Sequence, residues 1–237
     1  MIIPALTARD EEARERMDDP HCDPRMLART YASFRLVNAA IAGWRTTYRR
    51  HLRPHLRAGG TTTVLDIGCG GGDVACALAR WARRDGVDLR VTGIDPDPRA
   101  HDWARRRPPV AGVRFRRALS ADLVADGEQF DLVISNHLLH HLDREQLEGL
   151  LADSARLARH AVVHSDIRRG RLAYALFSVL TWPLFPGTFI REDGLTSIRR
   201  SFTPAELRRA VPSPWSVVAQ GRFRLLLQRE GSAPERR

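Results

Sequence analysis

Val64-Leu65-Asp66-Ile67-Gly68-Cys69-Gly70-Gly71-Gly72-Asp73 runs from an apolar strand-forming segment through glycines into a helix-forming one. Glycine allows the tight turn and the close approach of backbone to ligand that such a junction needs. In an open parallel sheet the junction lies at the carboxyl ends of the strands, where a ligand crevice forms. Outward from it, strands and helices alternate. Thr62 to Ile67, Leu89 to Ile94, Val113 to Arg117, Phe130 to Ser135 and Ala161 to Ser165 read as strands. Asp73 to Arg84, Arg99 to Arg107 and Leu138 to Leu157 read as helices between them. The alternation predicts an α/β fold, a doubly wound and mostly parallel sheet covered on both faces, with right-handed crossovers. Trp215 to Ala219 and Phe223 to Leu227 are joined only by Gln220-Gly221-Arg222, which predicts an antiparallel C-terminal hairpin and completes a seven-stranded sheet.

The flanks differ from this centre. Asp10 to Arg16 is a charged, helix-like stretch, and Asp18-Asp19-Pro20 breaks it. Asp23-Pro24 has the cap and N1 proline of a helix start, after which Leu27, Tyr31, Phe34, Val37, Asn38, Ile41 and Trp44 recur at helical spacing. Ala58-Gly59-Gly60 reads as a boundary. The expected organisation is an N-terminal helical lid over 1–58, a ligand-binding domain over 59–230 with a helical insertion at about 168–200, and a disordered tail over 231–237. Within the insertion, Leu172 to Ile190 is uncharged, but Pro183, Pro186 and Gly187 leave only Leu172 to Trp182 able to be helical. A span needs ~20 residues, so this segment is expected to cover a pocket or to touch a membrane surface rather than cross it. Thr203-Pro204-Ala205-Glu206 starts a further helix.

The chain of 237 residues carries 38 basic and 28 acidic side chains, a net charge of 38 − 28 = +10, and every basic residue is arginine. That excess permits a nucleic acid or an anionic membrane as partner. The arginines are scattered in twos and threes, as at Arg105 to Arg107 or Arg199-Arg200, so a solvated surface is the expected reading and nucleic acid is not. Three cysteines, Cys22, Cys69 and Cys76, form no disulfide framework, and no signal-peptide core precedes Arg9 to Glu12. A reducing, cytoplasmic setting is expected. No residue spacing along the chain suits a metal site.

A second carboxylate, Asp95, ends the strand Val91-Thr92-Gly93-Ile94-Asp95, where a ribose diol is usually held. A dinucleotide fingerprint G-x-G-x-x-G would need glycine where Asp73 stands. The pattern is instead Asp66-x-Gly68-x-Gly70-x-Gly72. An acid leading the turn repels a pyrophosphate and attracts a ligand bearing sulfonium and ammonium groups, which favours S-adenosylmethionine over NAD. On these residues Val64 to Leu142 resembles the class I S-adenosylmethionine-dependent methyltransferases. The resemblance implies that Asp66 organises the methionine end of the cofactor and Asp95 holds the ribose. It implies further that Gly68, Cys69, Gly70, Gly72, Pro96, Asn136 and His137 lie beside the cofactor. The family's adenine-contacting acid is replaced: that position holds Leu119, followed by Ser120, so either these two contact the adenine or Asp122 substitutes.

The acceptor is approached by exclusion. The Asn/Asp-Pro-Pro-Tyr motif of amino-group methylases is absent after the fourth strand, where Asn136-His137-Leu138-Leu139 stands. His137, His140 and His141 are the candidate bases, with His137 and His141 expected on one helix face. Tyr31, Phe34, Asn38, Trp44, Tyr174 and Phe177 are candidates to roof the substrate pocket, and Arg199 to orient an acidic group. The segments around Asp166 to Arg169 and Asp193 to Phe202 resemble bacterial methyltransferases of phenolic-lipid, polyketide or quinone pathways. Together these residues predict methyl transfer to oxygen or carbon of a small hydrophobic aromatic acceptor. RNA methylation and a non-catalytic cofactor-binding subunit are the alternatives.

Overall fold

Seven strands form one sheet: β1 (Thr61–Ile67), β2 (Asp88–Ile94), β3 (Val113–Arg116), β4 (Phe130–Asn136), β5 (Ala158–Ile167), β6 (Ser216–Gln220) and β7 (Arg224–Glu230). Their order is β3-β2-β1-β4-β5-β7-β6, and only β7 runs against its neighbours. The computed structural model describes residues 4–40, 42–57 and 59–231. Ile41 and Ala58, and all of the expected tail beyond residue 231, lie outside the described residues.

The strands are almost continuously apolar because both faces are covered. Side chains alternate across the pleat. Val64, Leu132 and Ile134 point to one layer, together with Leu78 of α3 (Asp73–Arg84). Leu65 and Val133 point to the other, with Leu147 and Leu151 of α6 (Arg144–Leu157). The remaining helices are α1 (Pro24–Ala40), α2 (Trp44–Thr47, continued by a π turn to Leu52), α4 (Pro98–Arg106), α5 (Ser120–Ala125), α7 (Arg171–Thr181), α8 (Ile190–Arg200) and α9 (Pro204–Ala210).

Three local expectations change. The stretch from Asp10 to Glu15 is not helical; it lies as a strap leading into a single 3-10 turn (Arg16–Asp18), where the Arg16 and Met17 N–H groups donate to Asp193 on α8. The long helix expected from Leu138 starts at Arg144, because Asp143 and Gln146 form a reciprocal capping box there. Before it, His137 has a left-handed backbone (φ 56°) and Leu139–His141 is a single 3-10 turn, so His137 and His141 share no helix face. Finally Trp44 and the Tyr48 and Leu52 that follow it pack into the sheet's own core, so this part of 1–58 is foundation rather than cover.

α7 is inverted in polarity. It buries Ala173, Ser178 and Thr181 and exposes Leu172, Leu176, Val179 and Leu180, with Trp182 and Leu184 exposed just beyond it. Gly194 of α8 admits the Phe177 ring: a Cβ there would stand 2.3 Å from it. No helix among the described residues is long and apolar enough to cross a membrane.

Candidate active site

A cavity of about 600 Å³ opens at the carboxyl ends of β1, β2 and β4 and extends between α1 and α7. One end is built by the glycine turn. Cys69 N–H donates to the Ile94 carbonyl (3.0 Å) and Gly70 N–H to Asp95 Oδ2 (2.9 Å), which pins the turn to the end of β2. Gly70 has φ +51° and open space where a Cβ would stand. Gly72 (φ +76°) serves the turn instead: a Cβ would stand 2.4 Å from the Phe115 ring.

Asp66 is 1% exposed and lines the cavity, and among the described residues neither carboxylate oxygen has a well-formed hydrogen bond. Burial, and then the charge of Asp95, pushes its carboxyl up to about 8, against only a weak lowering by the Ala75 backbone N–H. An orphaned buried acid of this kind calls for a cation from outside the chain. The ammonium of S-adenosylmethionine fits that need. Asp95 accepts one backbone N–H on each oxygen, from Gly70 and Asp97 (3.0 Å), which fixes its orientation and leaves lone pairs for a diol. Gly68, Cys69, Pro96, Asn136 and His137 line the same cavity.

The other end holds a polar cluster under an apolar roof. His140 is buried between two carboxylates, with Nδ1 2.7 Å from Asp166 Oδ1 and Nε2 3.2 Å from Glu15 Oε1. Burial alone would lower its pKa, but the Asp166 charge and the hydrogen bonds to Asp166 and Glu15 outweigh it and raise the imidazole to about 9. His140 is therefore an imidazolium at neutral pH. Burial raises Asp166 too, and His140 overrides it and holds it well below the carboxylate range. Ser197 Oγ donates to Glu15 Oε1 (2.6 Å). Two arginines secure the turn itself: Arg9 Nη2 donates to the carbonyls of His140 and Leu142, and Arg200 to those of His140 and His141.

The other two histidines differ from it. His141 Nδ1 lies 3.2 Å from Asp18 Oδ2, while its Nε2 is 3.7 Å from Glu15, beyond hydrogen-bonding range. His137 Nε2 accepts from Arg224 Nη1 at 2.5 Å. Burial, and then the Arg224 charge, pushes His137 well below its ordinary pKa, so it is neutral.

The donor atoms of Glu15, His140 and His141 lie within 4.8 Å of one another, a grouping that spacing along the sequence did not predict. Of the expected substrate residues, Tyr31, Phe34, Asn38 and Phe177 line the cavity. Trp44 does not, being core, and Tyr174 is not among the lining residues. Arg199 faces Asp10 at 3.7 Å, outside the cavity. Leu119 is 55% exposed at the start of α5, and Ser120 Oγ donates to Asp153 (2.6 Å); neither reaches the cavity, nor does Gly72. Asp122 accepts the Leu119 N–H and serves as a cap. Glu15, Asp18 and Arg224 line the cavity without having been singled out by sequence, and Asp193 and Ser197, whose segment was noted only for its resemblance, line it too.

Comparison with known proteins shows the family and the fold. Residues 64–161 match the family model described as a methyltransferase domain. A ubiquinone biosynthesis O-methyltransferase of Methylobacterium sp. (strain 4-46) is 31% identical over 229 residues, covering 91% of this chain and 84% of the relative. An uncharacterized methyltransferase of Mycobacterium tuberculosis is 36% identical over 118 residues, 47% of this chain and 56% of the relative. Among solved structures, magnesium protoporphyrin IX methyltransferase from Synechocystis PCC 6803 with bound SAH has a TM-score of 0.52 at 16% identity, over 92% of this chain and 91% of that one. The plantazolicin methyltransferase BpumL has a TM-score of 0.57 at 11% identity, over 88% and 95%, and shares the fold. The chain belongs to the class I S-adenosylmethionine-dependent methyltransferases. It is an enzyme, and S-adenosylmethionine is its cofactor.

Proposed function

We propose that the enzyme methylates oxygen or carbon of a small hydrophobic aromatic acceptor, a phenol or quinol. One observation carries this reading: the cavity that holds Asp66 and Asp95 continues into a chamber walled by Tyr31, Phe34, Leu176, Phe177, Leu180 and Ile198. Such a wall fits a flat apolar ring and costs a polar nucleobase its hydration. The similarity to a relative named a ubiquinone biosynthesis O-methyltransferase supports the quinol class. Leu176 and Leu180 line the cavity and are also 41% and 60% exposed, so the apolar wall runs out to the surface. An acceptor with an apolar tail fits that exit, and the exposed face of α7 suits peripheral contact with a lipid surface.

S-adenosylmethionine, when bound, supplies an electrophilic methyl on a sulfonium. The chain's part is alignment, which can contribute roughly 7–11 kcal/mol, and management of one proton. His141 is the proposed base. Asp18 fixes its Nδ1, and Nε2 is left without a hydrogen bond at the cavity wall. His140, already protonated and locked by Asp166 and Glu15, is a fixed positive charge, and His137 is held by Arg224. The test is incubation with methyl-labelled S-adenosylmethionine and, in separate reactions, a lipid extract, total RNA and a protein mixture. Label in the organic-soluble fraction is expected. Label in RNA, with none in the organic phase, would overturn the reading.

A further inference from the structure

Arg224, the first residue of β7, lines the cavity at 4% exposure. Among the lining residues it is the only arginine, while seven are acids: Glu15, Asp18, Asp66, Asp73, Asp95, Asp97 and Asp193. Among the described residues no carboxylate forms an ion pair or hydrogen bond with it. Nη2 donates to Asn136 Oδ1 (2.8 Å) and Ser165 Oγ (2.7 Å), Nη1 donates to His137 Nε2, and Nε is buried without a partner. Every hydrogen-bond partner of this guanidinium is neutral. Burial lowers its pKa to about 10, so it still carries its charge at neutral pH. A buried cation contacting only neutral acceptors is costly unless an anion joins it.

His137 adds a donor beside it. Its Nε2 accepts from Arg224, so in the neutral ring the proton is on Nδ1. Among the described residues His137 is also the one non-glycine residue with positive φ, a strained conformation placed at the cavity wall. The nearby charges do not cancel Arg224 by contact: Asp166 is engaged with His140, and Glu15 with His140 and Ser197.

We infer that Arg224 and His137 form an anion-accepting corner that takes the aromatic acceptor through a negatively charged oxygen, a phenolate or a ring carboxylate. The inference rests on the aromatic-acceptor reading above and narrows it: the acceptor is an acid, and the corner holds its anion while the ring lies against the apolar wall. The proton of a bound phenol leaves to His141 or to solvent, and its electron pair stays on the oxygen facing Arg224.

The test uses the full chain saturated with S-adenosylhomocysteine and two probes. 4-Nitrophenol reports its own ionisation by absorbance; 4-nitrobenzoate is compared by calorimetry with its neutral isostere 4-nitrobenzamide. Expected are an apparent pKa of bound nitrophenol at least about one unit below its value in water, and its return to that value in Arg224→Gln at saturating S-adenosylhomocysteine. Arg224→Lys, which keeps the charge but loses the planar fork, should retain part of the effect. If the carboxylate is the natural handle, nitrobenzoate binds at least about tenfold more tightly than nitrobenzamide. Should Arg224→Gln lose cofactor binding through misfolding, this wild-type comparison and the wild-type nitrophenol titration decide instead. Nitrophenol bound as the neutral phenol together with no preference for nitrobenzoate, or a shift that survives in a folded Arg224→Gln, overturns the anionic corner and leaves the aromatic acceptor standing. Failure of all three aromatics to bind overturns both.

Discussion

Replacing Asp66 by Asn keeps the size of the side chain and removes the carboxylate proposed to pair with the cofactor's ammonium. A carboxyl held at about 8 is about 90% protonated at pH 7 before the cofactor arrives. Pairing with an ammonium restores the ionised form, so binding at pH 7 should release about 0.9 proton and weaken about tenfold as the pH falls from 7 to 6. The sign follows from the raised pKa. In the cofactor-free protein, the contribution of Asp66 to stability is fully present below the ordinary carboxylate value of 3.8 and is lost as pH rises through about 8. Titration calorimetry in phosphate and in Tris separates the released proton from the intrinsic heat. Asp66→Asn should abolish the buffer dependence and weaken binding by about 10- to 150-fold, the worth of one charge-assisted hydrogen bond at about 1.5–3 kcal/mol. The same variant should raise the melting temperature of the cofactor-free protein at pH 9, where the wild-type acid is ionised in an apolar site. Buffer-independent heats with undiminished affinity in Asp66→Asn would refute the reasoning.

His141→Ala should lower kcat by about 10²–10⁴ with cofactor affinity unchanged, and Asp18→Asn should lower it less, as measured by initial rates with a phenolic acceptor. In cofactor-saturated protein, thermal stability should be fully supported by His140 below about pH 6.5 and decline as pH rises through about 9; His140→Gln should flatten that limb of the melting profile. Glu15→Gln breaks a buried network and should cost about 3 kcal/mol, read as a melting-temperature fall of about 6–12 °C. Leu176→Asp with Leu180→Asp should raise KM for a long-tailed acceptor more than for its short-tailed analogue and reduce co-sedimentation with anionic phospholipid vesicles.

The sheet was legible because its signals are local. A glycine turn after an apolar run, periodic helices and a three-residue hairpin joint each constrain the backbone within a few residues. α3 falls on Asp73–Arg84, as its spacing indicates. The position of Asp66 and Asp95 at the cavity could be read for the same reason, since a strand end places them whatever the rest of the chain does. The proposed acceptor side was less legible because it is assembled over long separations. Glu15 reaches His140 across 125 positions and Arg224 reaches His137 across 87. Glu15 sits in a stretch whose charge density suggests a solvated helix, and Arg224 is one of 38 basic residues with nothing local to mark it. Trp44 misleads in the opposite way: its spacing continues the face of α1, but Gly43 (φ 65°) turns the chain and sends the indole into the core.

A crystal structure with S-adenosylhomocysteine tests the central claim most directly. The account places the ligand's amino group within hydrogen-bonding distance of the Asp66 carboxylate and its ribose hydroxyls on Asp95. A ligand seated elsewhere, with both oxygens of Asp66 still unpartnered, would contradict it.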